Sequence, residues 1–117
     1  MFVIKDSQLQ AFREPLLKSF YKDSEQHLRM KFPVTTKKIT PAEFGIIIEK
    51  GIEKAADYNI IERADVRFFL EYMIALGSDF ETSPSHEWVA DIVGIRNLSG
   101  SEKIKRMLHT YPLKQES

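Results

Sequence analysis

The chain reads as all-α, a single-domain bundle of about five helices around a central buried helix. Three features predict this. Apolar residues recur at three- and four-residue spacing along most of its length. Helix-start and helix-stop residues punctuate that pattern at matching intervals. One stretch, residues 61–80, is apolar on nearly every side. From Val66 to Leu76 it reads VRFFLEYMIAL, and the polar residues Arg63, Arg67 and Glu71 keep to one stripe at a spacing of four. A helix with so little polar surface must be covered by neighbours, so residues 62–76 are expected at the centre.

The elements follow in order. Phe2, Val3 and Ile4 form an apolar lead expected to lie across the helices rather than pair as an edge strand, and Asp6 or Ser7 can cap the first helix. Leu9, Phe12, Leu16, Phe20, Leu28 and Phe32 then mark one helical face as far as Pro33, with Pro15 expected to kink or divide the helix. Residues 33–40 are a loop carrying Lys37 and Lys38. Thr40-Pro41-Ala42-Glu43 is a helix start, because threonine caps, proline suits the first turn and glutamate reaches back to the cap amide.

The second helix runs to about Asp57, with Phe44, Ile47, Ile48, Ile52 and Ala55 inward, and Gly45 and Gly51 allowing close approach of a neighbour. Asn59 ends it, Ile60 and Ile61 tie the connection to the core, and the central helix follows until Gly77. Ser83-Pro84 opens a short helix bearing Trp88, Val89, Ile92 and Val93, ended by Gly94. Ser99 or Ser101 caps a last helix with Ile104, Met107, Leu108 and Tyr111 on its apolar side; residues 112–117 are expected to fray. Phe69 and Met73 should pack on Ile48 and Ile52, and Phe12 or Phe20 on the central helix.

Composition narrows the function classes. At 43% hydrophobic and 29% charged, the chain is globular rather than disordered or fibrous. Lysine plus arginine equals aspartate plus glutamate at 17 each, which argues against a general nucleic-acid binder, since those need a cationic surplus. Without cysteine there is no disulfide framework, thiolate metal site or thiol nucleophile. The start MFVIKDSQLQ lacks the layout of a signal peptide, and no run reaches the roughly 18 apolar residues of a membrane span. A cytoplasmic location is expected.

The residues able to carry chemistry are scattered. His27, His86 and His109 fall on three different elements, none with a second histidine at ligand spacing, so surface or helix-end roles are expected and no metal. Glu49, Glu53, Asp57, Glu62 and Asp65 cluster near one helix junction, but Lys50, Lys54 and Arg63 interleave them, which reads as helix-surface ion pairing. No phosphate loop, nucleophile elbow or dinucleotide fingerprint occurs, so no catalytic residue and no cofactor are assigned. Two local basic groups stand out, Lys37 with Lys38, Lys50 and Lys54, and Lys103 with Lys105 and Arg106. The second and third helices have the outline of a DNA-binding pair, yet the would-be reading helix is the one predicted to be most buried.

Residues 78–88 are the segment best suited to contact a partner. Phe80 and Trp88 bracket Glu81, His86 and other polar residues, and large aromatics beside a polar loop often anchor protein contacts. The competing expectation is that both rings close the base of the core. Phe80, Glu81, His86 and Trp88 are the candidate contact residues.

Four stretches then appear in order: MFVIKDSQLQAF, LRMKFP, GIEKAADYNIIERADVRFFLEYMIALGSDF, and the tryptophan at Trp88. The pattern, over about residues 3–93, resembles a group of small helical proteins of Gram-negative bacteria encoded beside type VI secretion spike, PAAR-tip and toxin genes. The resemblance rests on apolar and turn positions, so it speaks to fold and genomic company rather than to a site. It implies a non-enzymatic accessory, an adaptor or chaperone that keeps a toxin soluble and helps load it on the spike, with an immunity protein as the alternative. A small DNA-binding regulator is the more distant one.

Overall fold

A computed structural model describes residues 14–116, with side chains from Lys18 onward. Expectations on residues 1–13, including Leu9, Phe12 and a cap at Asp6 or Ser7, and on the Leu16 side chain, lie outside the described residues. Among the described residues five α-helices follow in order: α1 (Glu14–Lys31), α2 (Pro41–Asp57), α3 (Arg63–Leu76), α4 (Glu87–Val93) and α5 (Gly100–Thr110). Two 3-10 turns, Phe80–Thr82 and Pro84–His86, lead into α4, and no strand occurs among the described residues. The fold is a single-domain all-α bundle. Pro15 is the second described residue of α1, and the helix continues past it to Lys31.

Local chemistry sets the helix ends. At α2 the Glu43 amide donates to Thr40 Oγ1 at 3.1 Å while the Thr40 amide donates to Glu43 Oε1 at 2.9 Å, a complete capping box with Pro41 inside it. Asn59 ends α2 at φ 66°, and the Ile60 amide reaches back to the Ala55 carbonyl at 2.8 Å, closing a left-handed Schellman turn. Gly77 ends α3 at φ 112°, a backbone conformation that disfavours side chains. Gly94 differs, since its φ of −78° is open to any residue. Ser99 rather than Ser101 caps α5, accepting from the Glu102 amide at 3.1 Å; Ser101 instead donates to Asp65 at 2.6 Å and ties α5 to the start of α3.

The core gathers Phe20, Leu28, Phe44, Ile48, Ile52, Val66, Phe69, Leu70, Tyr72, Met73, Val89, Ile104 and Met107 around α3. α3 buries Val66 and every residue from Phe69 to Ile74, which is the central role its composition demands. Its would-be reading face is therefore inside the protein. Gly51 lies so close to α3 that an added Cβ would fall 2.2 Å from Leu70 Cδ2 and 3.0 Å from Met73 Sδ. Gly45, expected to play the same part, has nothing within 4 Å of that position. Ile60 is fully buried but Ile61 is 41% exposed, so only the first of the pair anchors the junction.

The polar stripe of α3 faces α1. Glu71 is 2% exposed; its two carboxylate oxygens accept from Lys31 Nζ at 2.6 Å and contact His27 Nε2 at 2.7 Å. Lys31 and His27 stand one helical turn apart on α1, which lets both reach a single carboxylate. The Arg63 guanidinium lies 5.6 Å over the Phe20 ring. These pairs advance in the same direction along both helices, so α1 and α3 lie side by side with like polarity. Arg29 organises the turn to α2, with Nε donating to Glu25 at 2.8 Å, terminal nitrogens donating to the carbonyls of Thr36 and Ile39, and its guanidinium 4.5 Å from the Phe44 ring.

The tail departs from expectation. Residues 112–116 are not frayed but laid back along the end of α1. Glu116 Oε1 accepts from the amides of Val34 and Thr35 at 2.7 and 2.8 Å, and its own amide donates to the Lys31 carbonyl at 2.8 Å. Gln115 donates to the Met30 carbonyl. One carboxylate satisfying two loop amides holds the strap without any helical propensity. Among the described residues, no helix is long and apolar enough to cross a membrane.

Candidate protein-contact surface

A ladder of aromatic rings runs from the end of α2 to the C-terminal strap. Tyr58 meets Phe69 at 6.4 Å between centroids, Phe69 meets Phe80 at 5.1 Å, and Phe80 stacks on Tyr72 at 5.8 Å. Tyr72 meets Trp88 edge-on at 6.0 Å, and Trp88 stacks on Tyr111 at 5.6 Å with ring planes 7° apart. Offset and edge-on pairs of this kind are favoured by the ring quadrupoles. The ladder passes from full burial at Tyr72 to a residue 44% exposed at Tyr111. The Tyr72 hydroxyl donates to the Tyr111 carbonyl at 2.6 Å, fixing the start of the strap. Burial, reinforced by the Glu71 charge, holds the Tyr72 phenol protonated well above the usual tyrosine range.

The four candidate contact residues part company here. Phe80 is buried and belongs to the ladder, so it closes the core and offers no surface to a partner. Glu81 is also buried, pairing with Lys54 Nζ at 3.1 Å. The same ammonium reaches Asp79 at 2.7 Å and the Ser78 carbonyl at 2.6 Å. Lys54 thus serves the 78–81 turn rather than the acidic residues of its own helix, as the sequence had suggested. His86 is half-buried, and its Nδ1 has no hydrogen-bond partner among the described residues. Trp88 is half-buried beside Tyr111 and keeps a place at the surface.

Beside the exposed end of the ladder lies an open groove of about 390 Å³. Its walls are Phe32 from the end of α1, Ala75 and Leu76 from α3, and Tyr111, Leu113 and Lys114 from the strap. A second depression of about 520 Å³ opens between α4 and α5, lined by Ile92, Lys105, Arg106, His109 and Thr110. Thr110 lines both. Neither lining contains a carboxylate. Lys105 has one exposed i,i+3 contact, 3.5 Å to Glu102, which solvent weakens. Lys103, grouped with these cations by sequence, is buried on the other side of α5 and donates to the Tyr58 carbonyl at 2.8 Å. Burial lowers its pKa below the ordinary lysine value.

Among the described residues no group of three or more His, Asp or Glu side chains is placed to hold a metal ion. This end of the molecule combines an exposed aromatic residue, an apolar floor and a cationic margin. Tyr111 was read from sequence only as helix core. Its part in the surface depends on a strap path that no periodicity encodes. Compared with known proteins, the chain matches no family model, no curated protein and no solved structure.

Proposed function

We propose that this protein is a non-enzymatic, cytoplasmic protein-binding accessory, an adaptor or chaperone of a type VI toxin-delivery system. The observation that carries the binding half is the Trp88–Tyr111 stack, which leaves a tyrosine 44% exposed at the lip of an apolar groove. Tyrosine and tryptophan held rigidly at a surface supply large contact area at little entropic cost. The delivery half rests on the sequence resemblance over about residues 3–93. An adaptor needs an apolar groove for its client, and this end of the bundle supplies one.

The second reading, an immunity protein that blocks a toxin, is favoured by a different observation, the carboxylate-free cleft of Lys105, Arg106 and His109. A charged patch of one sign suits an active site of the other. The test is a pull-down of tagged protein from its native lysate with mass-spectrometric identification. Recovery of a spike, tip or toxin protein supports the proposal; recovery of the chain alone, as a discrete oligomer, overturns it. Toxicity of the recovered toxin with and without this chain then separates loader from inhibitor.

A further inference from the structure

We infer that the two depressions form one binding surface whose occupant is an acidic segment of a partner protein, with aliphatic or aromatic side chains set among its carboxylates. The inference rests on the protein-binding reading and specifies the partner's chemistry. Its basis is charge complementarity. The chain as a whole is neutral, 17 cationic residues against 17 acidic. At this end, Lys105, Arg106 and Lys114 line the adjoining depressions with no carboxylate among them. Arg106 and Lys114 have no ion-pair partner among the described residues, so their charge is uncommitted. Like charges gathered around low-dielectric walls focus their field on whatever enters.

The apolar component decides what kind of anion fits. Ile92 lies in the same cleft as Lys105 and Arg106, and the neighbouring groove continues with Leu76, Tyr111 and Leu113. A phosphodiester backbone has no use for an aliphatic floor. A peptide alternating carboxylates with apolar side chains uses both parts. Thr110, shared by the two depressions, marks where such a segment passes from the cationic to the apolar half.

Trp88 is the single tryptophan and sits in the stack at the groove, so its fluorescence reports occupancy directly. The full chain is titrated with a synthetic peptide of alternating glutamate and leucine, with its lysine–leucine counterpart, and with a single-stranded oligonucleotide. The expected result is a saturable Trp88 change with the glutamate peptide alone. Affinity should weaken as salt is raised and fall about tenfold in the Lys105→Glu/Arg106→Glu variant. Both positions are exposed on α5, and an unchanged circular-dichroism melt confirms that the variant folds. Equal response to the lysine peptide, an unchanged affinity in the variant, or preferential binding of the oligonucleotide overturns the inference. If the lysate experiment recovers a delivery-system partner and the variant captures it equally well, this surface is wrong while the adaptor reading stands.

Discussion

Glu71 offers the sharpest way to probe the fold, because its carboxylate is 2% exposed and shared by two side chains of one helix, Lys31 and His27. Lys31→Met keeps the aliphatic stem but leaves the carboxylate buried with only His27 against it. Removing one partner of a buried pair typically costs about 3–5 kcal/mol. Lys31 is itself 20% exposed, so water can enter the vacated place and the expected loss falls somewhat below that range, about 2–4 kcal/mol. Glu71→Gln keeps the shape and a carbonyl acceptor, and leaves the Lys31 and His27 side chains able to turn outward; its loss should be about 1–2 kcal/mol. The double variant should recover a large part of the Lys31→Met loss, since no charge then remains buried. Urea unfolding at neutral pH, followed by helical circular dichroism, gives all three values. Losses that simply add in the double variant, or a Lys31→Met loss below about 0.5 kcal/mol, would refute a coupled buried pair.

Phe69 is fully buried between the Tyr58 and Phe80 rings, and Phe69→Ala should cost about 3–5 kcal/mol in the same urea assay; a loss below about 1 kcal/mol would place α3 away from the centre. Three glycine-to-alanine changes should diverge in thermal scans. Gly45→Ala, with open space, should stabilise by up to about 1 kcal/mol. Gly51→Ala meets the Leu70 and Met73 side chains and should destabilise by about 1–2 kcal/mol, while Gly100→Ala meets the backbone of Asn59 and Ile60, which cannot turn aside, and should lose more. Stability should also fall in acid. Hydrogen bonds from Thr35 hold the Glu116 carboxyl below its ordinary value, the Lys54 ammonium does the same for Asp79, and the Thr40 amide for Glu43. Their folded pKa values are depressed, so their contribution is complete above the ordinary carboxylate range near pH ~4 and is lost below it. A melting temperature flat from neutral pH into strong acid would contradict this.

Much of the fold was legible because local chemistry and global packing agree. Thr40, Pro41 and Glu43 specify a helix start with no help from the rest of the chain, and Asn59 specifies a stop. The apolar run of α3 demands burial wherever it sits. What could not be read depends on which elements meet. Gly45 and Gly51 look alike in sequence, and only the approach of α3 tells them apart. Glu71 sits in a stripe with Arg63 and Arg67 that looks like solvated surface, until α1 brings Lys31 and His27 across it. The candidate surface was legible only in part. Trp88 and Phe80 are equally conspicuous as large aromatics in the sequence, yet the fold leaves the first half-buried and encloses the second. The surface role of Tyr111 and Leu113 was not legible because a strap held by the scattered hydrogen bonds of Tyr111, Gln115 and Glu116 has no periodic signal.

The most direct test of the account is co-purification of the chain with the spike, tip and toxin proteins of a delivery system, comparing wild type with Tyr111→Ala. The substitution removes the exposed ring but keeps the carbonyl that accepts from Tyr72, so the fold should persist. The expected result is a discrete complex with the wild type and its loss in the variant, which still folds cooperatively with a melting temperature lowered only modestly by the lost Trp88–Tyr111 stack. A complex that forms equally well with both, or none with any of these proteins, would contradict it.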